Sequence, residues 1–433
     1  MDKIFIFFVT ISAYLIGFMI IYKSIGNLFS IPIFILSIWG FVLIGSLEYY
    51  MLESHILLPI IVALSSLSFS FGVKYSAVYF KFNPKRVLRN SKYHQIILET
   101  SNFTILKLAI FICEIVILII FISKFLYNSP ILNPSILKTE VVQPGIGPLY
   151  RLVKTGLPLL SIMYYLMALQ KKRKMERYVA ILMIIITSVC LTLLGYKGYT
   201  LWFVILVLIT IGYLNHMSHR SISILFFLLI LAILSSLFVT YFTNPVARSG
   251  SFSTIILLLW NRLTREQTLG LEYVVYSLIP TYGLYYGETF FWDFTWTIHD
   301  LSQGVFFTRP HPSLTTYISI LMTGYEKYYA VTTMIIGDFY ANWGLVGIVI
   351  GCFLYGWLVT NLYIIVLHVK KGIILFPFWI YLSWIFVQMA ATGAPIAFFL
   401  SELFSLLLSY TFFSVVYIYF HFLLNRKEFR KSG

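Results

Sequence analysis

Long apolar runs separated by short polar breaks occupy this chain from end to end, and run length sets the first expectation. A run of roughly 17–25 apolar residues crosses a bilayer as a helix, because in hydrocarbon a segment must satisfy its own backbone polar groups. Such runs predict spans over residues 4–22, 28–47, 56–80, 104–127, 152–169, 178–194, 198–214, 222–242, 343–368, 373–392 and 396–424. The expected fold is all-α: a polytopic helical membrane protein of about 11 transmembrane helices, within a range of roughly 10 to 13. The first run lacks a small-residue cleavage site and a strong basic leader, so it is expected to remain as a helix.

Two breaks in the pattern are long. Residues 128–151 carry Pro130, Pro134, Pro144 and Pro148, and residues 243–342 form a second, far longer segment. This divides the chain into an N-terminal helical part (1–242), a membrane-hugging loop (243–342) and a C-terminal helical part (343–433). Loops of that length are usually functional when ordered, which directs the search for chemistry to the second one. Within it, residues 252–268 are apolar and then abruptly basic, too short to span and suited to an interfacial or re-entrant helix. Tyr282, Tyr285, Tyr286, Phe290, Phe291, Trp292, Phe294 and Trp296 make an aromatic belt fit for the headgroup layer. Thr308-Arg309-Pro310-His311-Pro312 then forms a rigid turn presenting a guanidinium and an imidazole. No fixed-period repeat and no matching pair of Gly/Pro-broken spans indicates a transporter built from inverted halves.

Composition sharpens this picture. Of 433 residues, 60% are hydrophobic and only 11% charged, against about 25% charged in soluble domains. A soluble enzyme, a secreted disulfide scaffold and a disordered chain are excluded. The net charge of +15 would suggest nucleic acid in a soluble protein. Here its location excludes that partner, because the basic clusters sit in short breaks between apolar runs. They are Lys81, Lys85, Arg86, Arg89 and Lys92; Lys171 to Lys174 with Arg177; Lys370 and Lys371; and Arg426, Lys427, Arg430 and Lys431. Such clusters mark the cytoplasmic side, which puts both long segments outside. Cys113, Cys190 and Cys352 lie far apart within apolar runs and read as packing residues.

Arginines on the outer side run against the topological rule, so Arg248, Arg262, Arg265 and Arg309 invite a functional reading as oxyanion binders. The plain alternative is interfacial snorkelling, or pairing with Glu266, Glu272 or Asp300. Lys197, between Gly195 and Gly198 at a break between spans, either approaches an anionic ligand or snorkels from a hairpin turn. His311 can relay a proton, bind a phosphate or serve structure. Glu48 and Glu53 stand in the first outer break without the motif of metal-using lipid-sugar transferases. Glu114 and Glu402 fall inside spans, where pairing with Lys107 or Lys154 is the simpler expectation over an ion pathway. With no Asp-x-Asp, no His-Glu-x-x-His and no Cys/His cluster, neither a metal nor another cofactor is expected.

The most specific stretch is Gly337-Asp338-Phe339-Tyr340-Ala341-Asn342-Trp343-Gly344-Leu345-Val346-Gly347, continuing through Gly351 to Gly356. It resembles the Gly-x-x-Tyr-x-Asn-(aromatic)-Gly-x-x-Gly passage that follows the large outer loop in Wzy-type O-antigen and capsule polymerases. Leu28-Phe29-Ser30-Ile31-Pro32 leading to Trp39, and the Gly-x-(basic)-Gly break at Gly195 to Gly198, are similar to that family as well. Two features depart from it: Lys197 stands where arginine is frequent, and no loop arginine is followed by glycine at the spacing some polymerases show.

The resemblance implies a GT-C-type glycosyltransferase of the cytoplasmic (inner) membrane with its active site facing outside. It would join oligosaccharide repeat units carried on polyprenyl diphosphate, without a metal. It implies Lys197, Arg262, Arg265 and Arg309 at the diphosphate; His311, Asp338 and Glu272 as alternative bases; and Tyr340, Asn342, Arg248 and Arg151 against lipid or sugar. Its partners would be lipid-linked glycans, the bilayer, and a chain-length regulator and flippase. A ligase-like transferase and a lipid-linked oligosaccharide flippase are the competing readings.

Overall fold

The computed structural model describes residues 3–83, 96–97, 103–133, 146–171, 174–195, 197–214, 230, 233–242, 250–302, 304–308, 310–324, 331–369 and 371–429. Its principal helices are α1 (Lys3–Ile25), α2 (Ile31–Glu53), α3 (Leu57–Tyr79), α4 (Phe103–Ile120), α5 (Leu157–Lys171), α6 (Lys174–Leu193) and α7 (Lys197–Leu214). They continue with α8 (Phe252–Leu263), α9 (Arg265–Tyr273), α10 (Glu288–Leu301), α11 (Leu314–Thr323), α12 (Met334–His368), α13 (Leu375–Thr392) and α14 (Pro395–Phe429). Among the described residues, nine helices are long and apolar enough to cross a membrane. The protein is therefore a polytopic helical membrane protein, as its apolar runs indicate. Of the other two expected spans, one is the shorter apolar helix Gly198–Leu214 and the other is described only at residue 230 and over Ile233–Phe242. The segment expected as a long loop is mostly helical, and α12 begins at Met334 rather than at residue 343.

The chain folds as two compact units that interleave in sequence. The first takes Met1–Ser91, Ile256–His368 and Ser383–Glu402; the second takes Lys92–Ile255, Val369–Leu382 and Leu403–Gly433.

In the first unit, α3 and α12 touch backbone to backbone. A Cβ at Gly72 would strike the Phe353 carbonyl, and one at Gly356 would strike the Phe69 carbonyl. Small residues are what allow such approach between membrane helices, where lipid offers no hydrophobic drive to association. Trp39 of α2 is fully buried beside them, edge-on to Phe69 at 5.2 Å, with its indole N–H donating to the Ala390 carbonyl at 3.2 Å. Ser65, Ser66 and Ser70 on α3 each donate to the carbonyl four residues earlier, satisfying hydroxyls that no water reaches.

In the second unit, Lys107 of α4 pairs with Glu176 of α6 at 2.8 Å, and Tyr164 of α5 also donates to that carboxylate. Wide π-type turns at Phe121–Leu126 and Leu152–Gly156 interrupt its helices. A two-residue parallel pairing, β1 (Ile96–Ile97) with β2 (Lys371–Gly372), aligns Ile96 with Lys371.

Candidate functional site

The first unit brings charge together where α2 ends and α9 begins. Gly45 makes the meeting possible: a Cβ there would strike the Thr264 carbonyl and the Thr268 hydroxyl, so α9 seats directly on α2. Thr268 then donates to the Thr264 carbonyl at 2.9 Å and reaches the Val42 carbonyl at 3.3 Å. The close seating delivers Arg265, the first residue of α9, to Glu53, the last of α2, with Nη2 3.0 Å from Oε1. Each charge has the wrong sign for its own helix end, a cation at the positive N-terminus and an anion at the negative C-terminus. Their mutual placement offsets that cost, and the guanidinium also lies over the Tyr49 ring at 5.1 Å.

A tight turn adds two more groups. Ser54 takes the left-handed conformation at φ 63°, its N–H donating to the Tyr50 carbonyl at 3.0 Å, which turns His55 back toward Glu53. His55 Nδ1 lies 3.8 Å from Glu53 Oε2 and 3.3 Å from Glu272 Oε1. The imidazole stacks on Tyr276 at 4.0 Å between centroids, and the Tyr276 hydroxyl accepts the Leu57 N–H at 2.9 Å. Burial raises the proton affinity of Glu272 above that of an ordinary carboxyl, an effect partly offset by His55. Arg265 and Glu53 remain 46% and 39% exposed, so the cluster opens to solvent. Glu53, His55 and Glu272 together present ligand atoms that could hold a metal ion.

A second polar cluster in the same unit is closed. Gly344 breaks α12 with φ 60° and ψ −143°, a backbone that favours glycine, which frees the Ala341 and Asn342 carbonyls for the amides of Tyr285 and Tyr286 at 3.1 and 3.0 Å. Asn342 completes the clamp by donating to Thr289 Oγ1 and the Asp338 carbonyl at 2.6 and 2.8 Å and accepting the Gly287 N–H at 2.8 Å. Asp338, fully buried, accepts from the Thr333 hydroxyl at 3.0 Å and the Ala394 N–H at 3.2 Å, at the N-terminus of α14. Asp293 of α10, equally buried, faces the Leu314, Ile396 and Ala397 amides without closing a hydrogen bond of good geometry, and burial pushes its carboxyl up to about 7.

The expected site residues thus separate. Arg265 and Glu272 share the open cluster; Asp338 and Asn342 share the closed one. Tyr340 packs on the apolar cluster of Val274, Leu278, Leu314, Ile318 and Ala341. Arg262 pairs with Glu266 one helical turn on, both half-exposed. His311 stacks on Trp292 at 3.7 Å and donates from Nδ1 to the Pro312 carbonyl at 2.9 Å. In the second unit, Arg151 donates to Ser405 Oγ at 3.2 Å and lies over the Phe404 ring at 5.7 Å. Lys197 opens α7. Arg248 and Arg309 lie outside the described residues.

His55 and Asp293 are not among the expected site residues, and Glu53 has no expected role. The available signal was Glu53-Ser54-His55, two ligand-type side chains flanking one residue at a break between spans, whose third member arrives from residue 272. No protein-family model, curated protein or solved structure is significantly similar to the chain.

Proposed function

We propose that this protein is a membrane glycosyltransferase that polymerises oligosaccharide repeat units carried on polyprenyl diphosphate, working at the outer face of the cytoplasmic membrane. The observation that carries the reading is the open cluster itself: a guanidinium, an imidazole and a half-buried carboxyl converge at a helix end beside Tyr49 and Tyr276. Amphipathic rings and long cationic side chains are the groups that work at a membrane edge, where a lipid diphosphate presents its charge. The sequence likeness of residues 337–356 to the polymerase passage supports the same class.

In the reaction, a sugar hydroxyl of the acceptor unit attacks the anomeric carbon of the donor glycan. The new glycosidic C–O bond forms as the bond from that carbon to the diphosphate oxygen breaks. The electron pair leaves with the diphosphate, and the hydroxyl proton passes to a base. Arg265 stabilises the departing diphosphate, because its planar donors match two oxyanions and its charge persists at any working pH. While no ion occupies the cluster, Glu272 is the base that takes the proton, burial holding its proton affinity above that of an ordinary carboxyl. Arg262 supplies further positive charge for the lipid headgroup.

The test is a glycan ladder. Cells lacking the protein should accumulate single repeat units on the carrier lipid, and the purified protein given those units should build chains from them. Full-length chains left unattached in the deletion would indicate a ligase instead, and failure to deliver repeat units outward would indicate a flippase.

A further inference from the structure

We propose that Glu53, His55 and Glu272 form a binding site for one divalent cation. Their ligand atoms all lie within 4.8 Å of one another, with His55 Nδ1 3.8 and 3.3 Å from the two carboxylates. An ion bound at about 2.1 Å holds neighbouring ligands about 3 Å apart and opposite ones about 4.2 Å apart. The trio is therefore spaced to close on one ion with small side-chain movement.

The imidazole gives the cluster its meaning. His55 Nδ1 is shielded from solvent and completes no hydrogen bond, although it points into the gap between two carboxylates. Its ring direction is fixed by the stack on Tyr276. Glu53 is held on its far side by Arg265 at Oε1, which leaves Oε2 as the oxygen nearer the imidazole. Two carboxylates with one imidazole suit Mn2+ or Zn2+ better than Ca2+, and the open face leaves room for water or a substrate oxygen in the remaining positions.

The consequence for chemistry rests on the polymerase reading. Without a cation, Arg265 is partly neutralised by Glu53, which weakens its hold on a diphosphate. A bound dication adds positive charge beside it, so ion and guanidinium hold the diphosphate together. No contiguous motif marks such a site, because its ligands come from two elements more than 200 residues apart.

Mn2+ is the probe. Full-length protein in detergent is titrated at neutral pH while free Mn2+ is read by electron paramagnetic resonance, and the bound ion is examined for hyperfine coupling to an imidazole nitrogen. One saturable equivalent with nitrogen coupling is expected. Glu272→Gln and His55→Asn should each weaken binding at least about tenfold, and His55→Asn should erase the coupling. Glu288→Gln, an exposed carboxylate of α10, should leave binding unchanged. No saturable binding, binding without nitrogen coupling, or equal affinity in Glu272→Gln would each overturn the site, and the first two need only the wild-type protein. Saturable binding with chain growth that survives chelation would keep the site and overturn its role at the diphosphate. Intact binding with no chain growth under any metal would overturn the polymerase reading and leave the site standing.

Discussion

The junction of α2 with α9 and the interior around α10 and α12 both gather carboxylates, yet they solve opposite problems. Asp293 and Asp338 are fully buried, and the oxygen of Asp338 is held by a hydroxyl and a helix N-terminal amide. Glu53 and Glu272 keep 39% and 16% of their side chains exposed and share one imidazole and one guanidinium among themselves. A buried polar group is costly unless its partners are fixed, so Asp338, with two fixed donors on one oxygen, reads as part of a device that locks broken helices together. The open cluster has charges whose partners can be exchanged for a ligand. Carboxylates alone do not distinguish structure from chemistry; access does.

The strongest way to break this contrast is to remove the frame under both clusters. Gly356→Val forces a branched side chain into the Phe69 backbone, and it should cost about 3 kcal/mol or more, seen as failure to extract a monodisperse, cooperatively melting protein. Asp338→Ala should come next. It leaves the Thr333 hydroxyl and the Ala394 amide without their acceptor, at about 1–3 kcal/mol for each buried group. Asp338→Asn keeps an oxygen acceptor and should melt near wild type.

A pH series sharpens the contrast from the closed side. Burial raises Asp293 to about 7 in the folded protein, against about 3.9 in an unfolded chain. The folded state therefore holds an extra proton between those values, and the associated stability is present below about pH 4 and lost as pH rises through about 7. Asp293→Asn should flatten the decline of melting temperature with pH over that window; an unchanged slope would mean Asp293 titrates normally. The smallest effect is expected at Arg262→Ala, whose exposed pair with Glu266 one helical turn away should contribute no more than about 0.5 kcal/mol to stability.

Much of this architecture was legible as run length. The spans from α1 to α6 follow directly from apolar stretches that can satisfy their backbones only as helices, and their ends fall within about two helical turns of the expected ones. The start of α12 was hidden, because Met334 to Asn342 reads as the tail of the long membrane-hugging loop until Gly344 is seen to break the helix. The glycine run was legible as close packing, and its partners show why. Gly347 and Gly351 receive Phe339, folded back by the break, whereas Gly356 receives α3. Arg265 was legible as a cation out of place in a segment expected outside, and Glu272 as a candidate base. Their convergence with Glu53 and His55 was not, since it depends on Gly45 seating α9 on α2, a long-range contact that leaves no local pattern.

The central claim is that the chemistry resides in the open cluster. Its most direct test is turnover on lipid-linked repeat units by purified, folded wild type, Arg265→Lys, Arg265→Ala and Asp338→Asn, compared in one assay. Arg265→Ala should lose about 2–4 kcal/mol of transition-state stabilisation, with Arg265→Lys between it and wild type because charge without the planar fork is a partial substitute. Asp338→Asn should keep turnover within about threefold, or about 0.7 kcal/mol, of wild type. Near-wild-type turnover in Arg265→Ala, together with abolished turnover in a well-folded Asp338→Asn, would contradict the claim and move the chemistry to the buried pair.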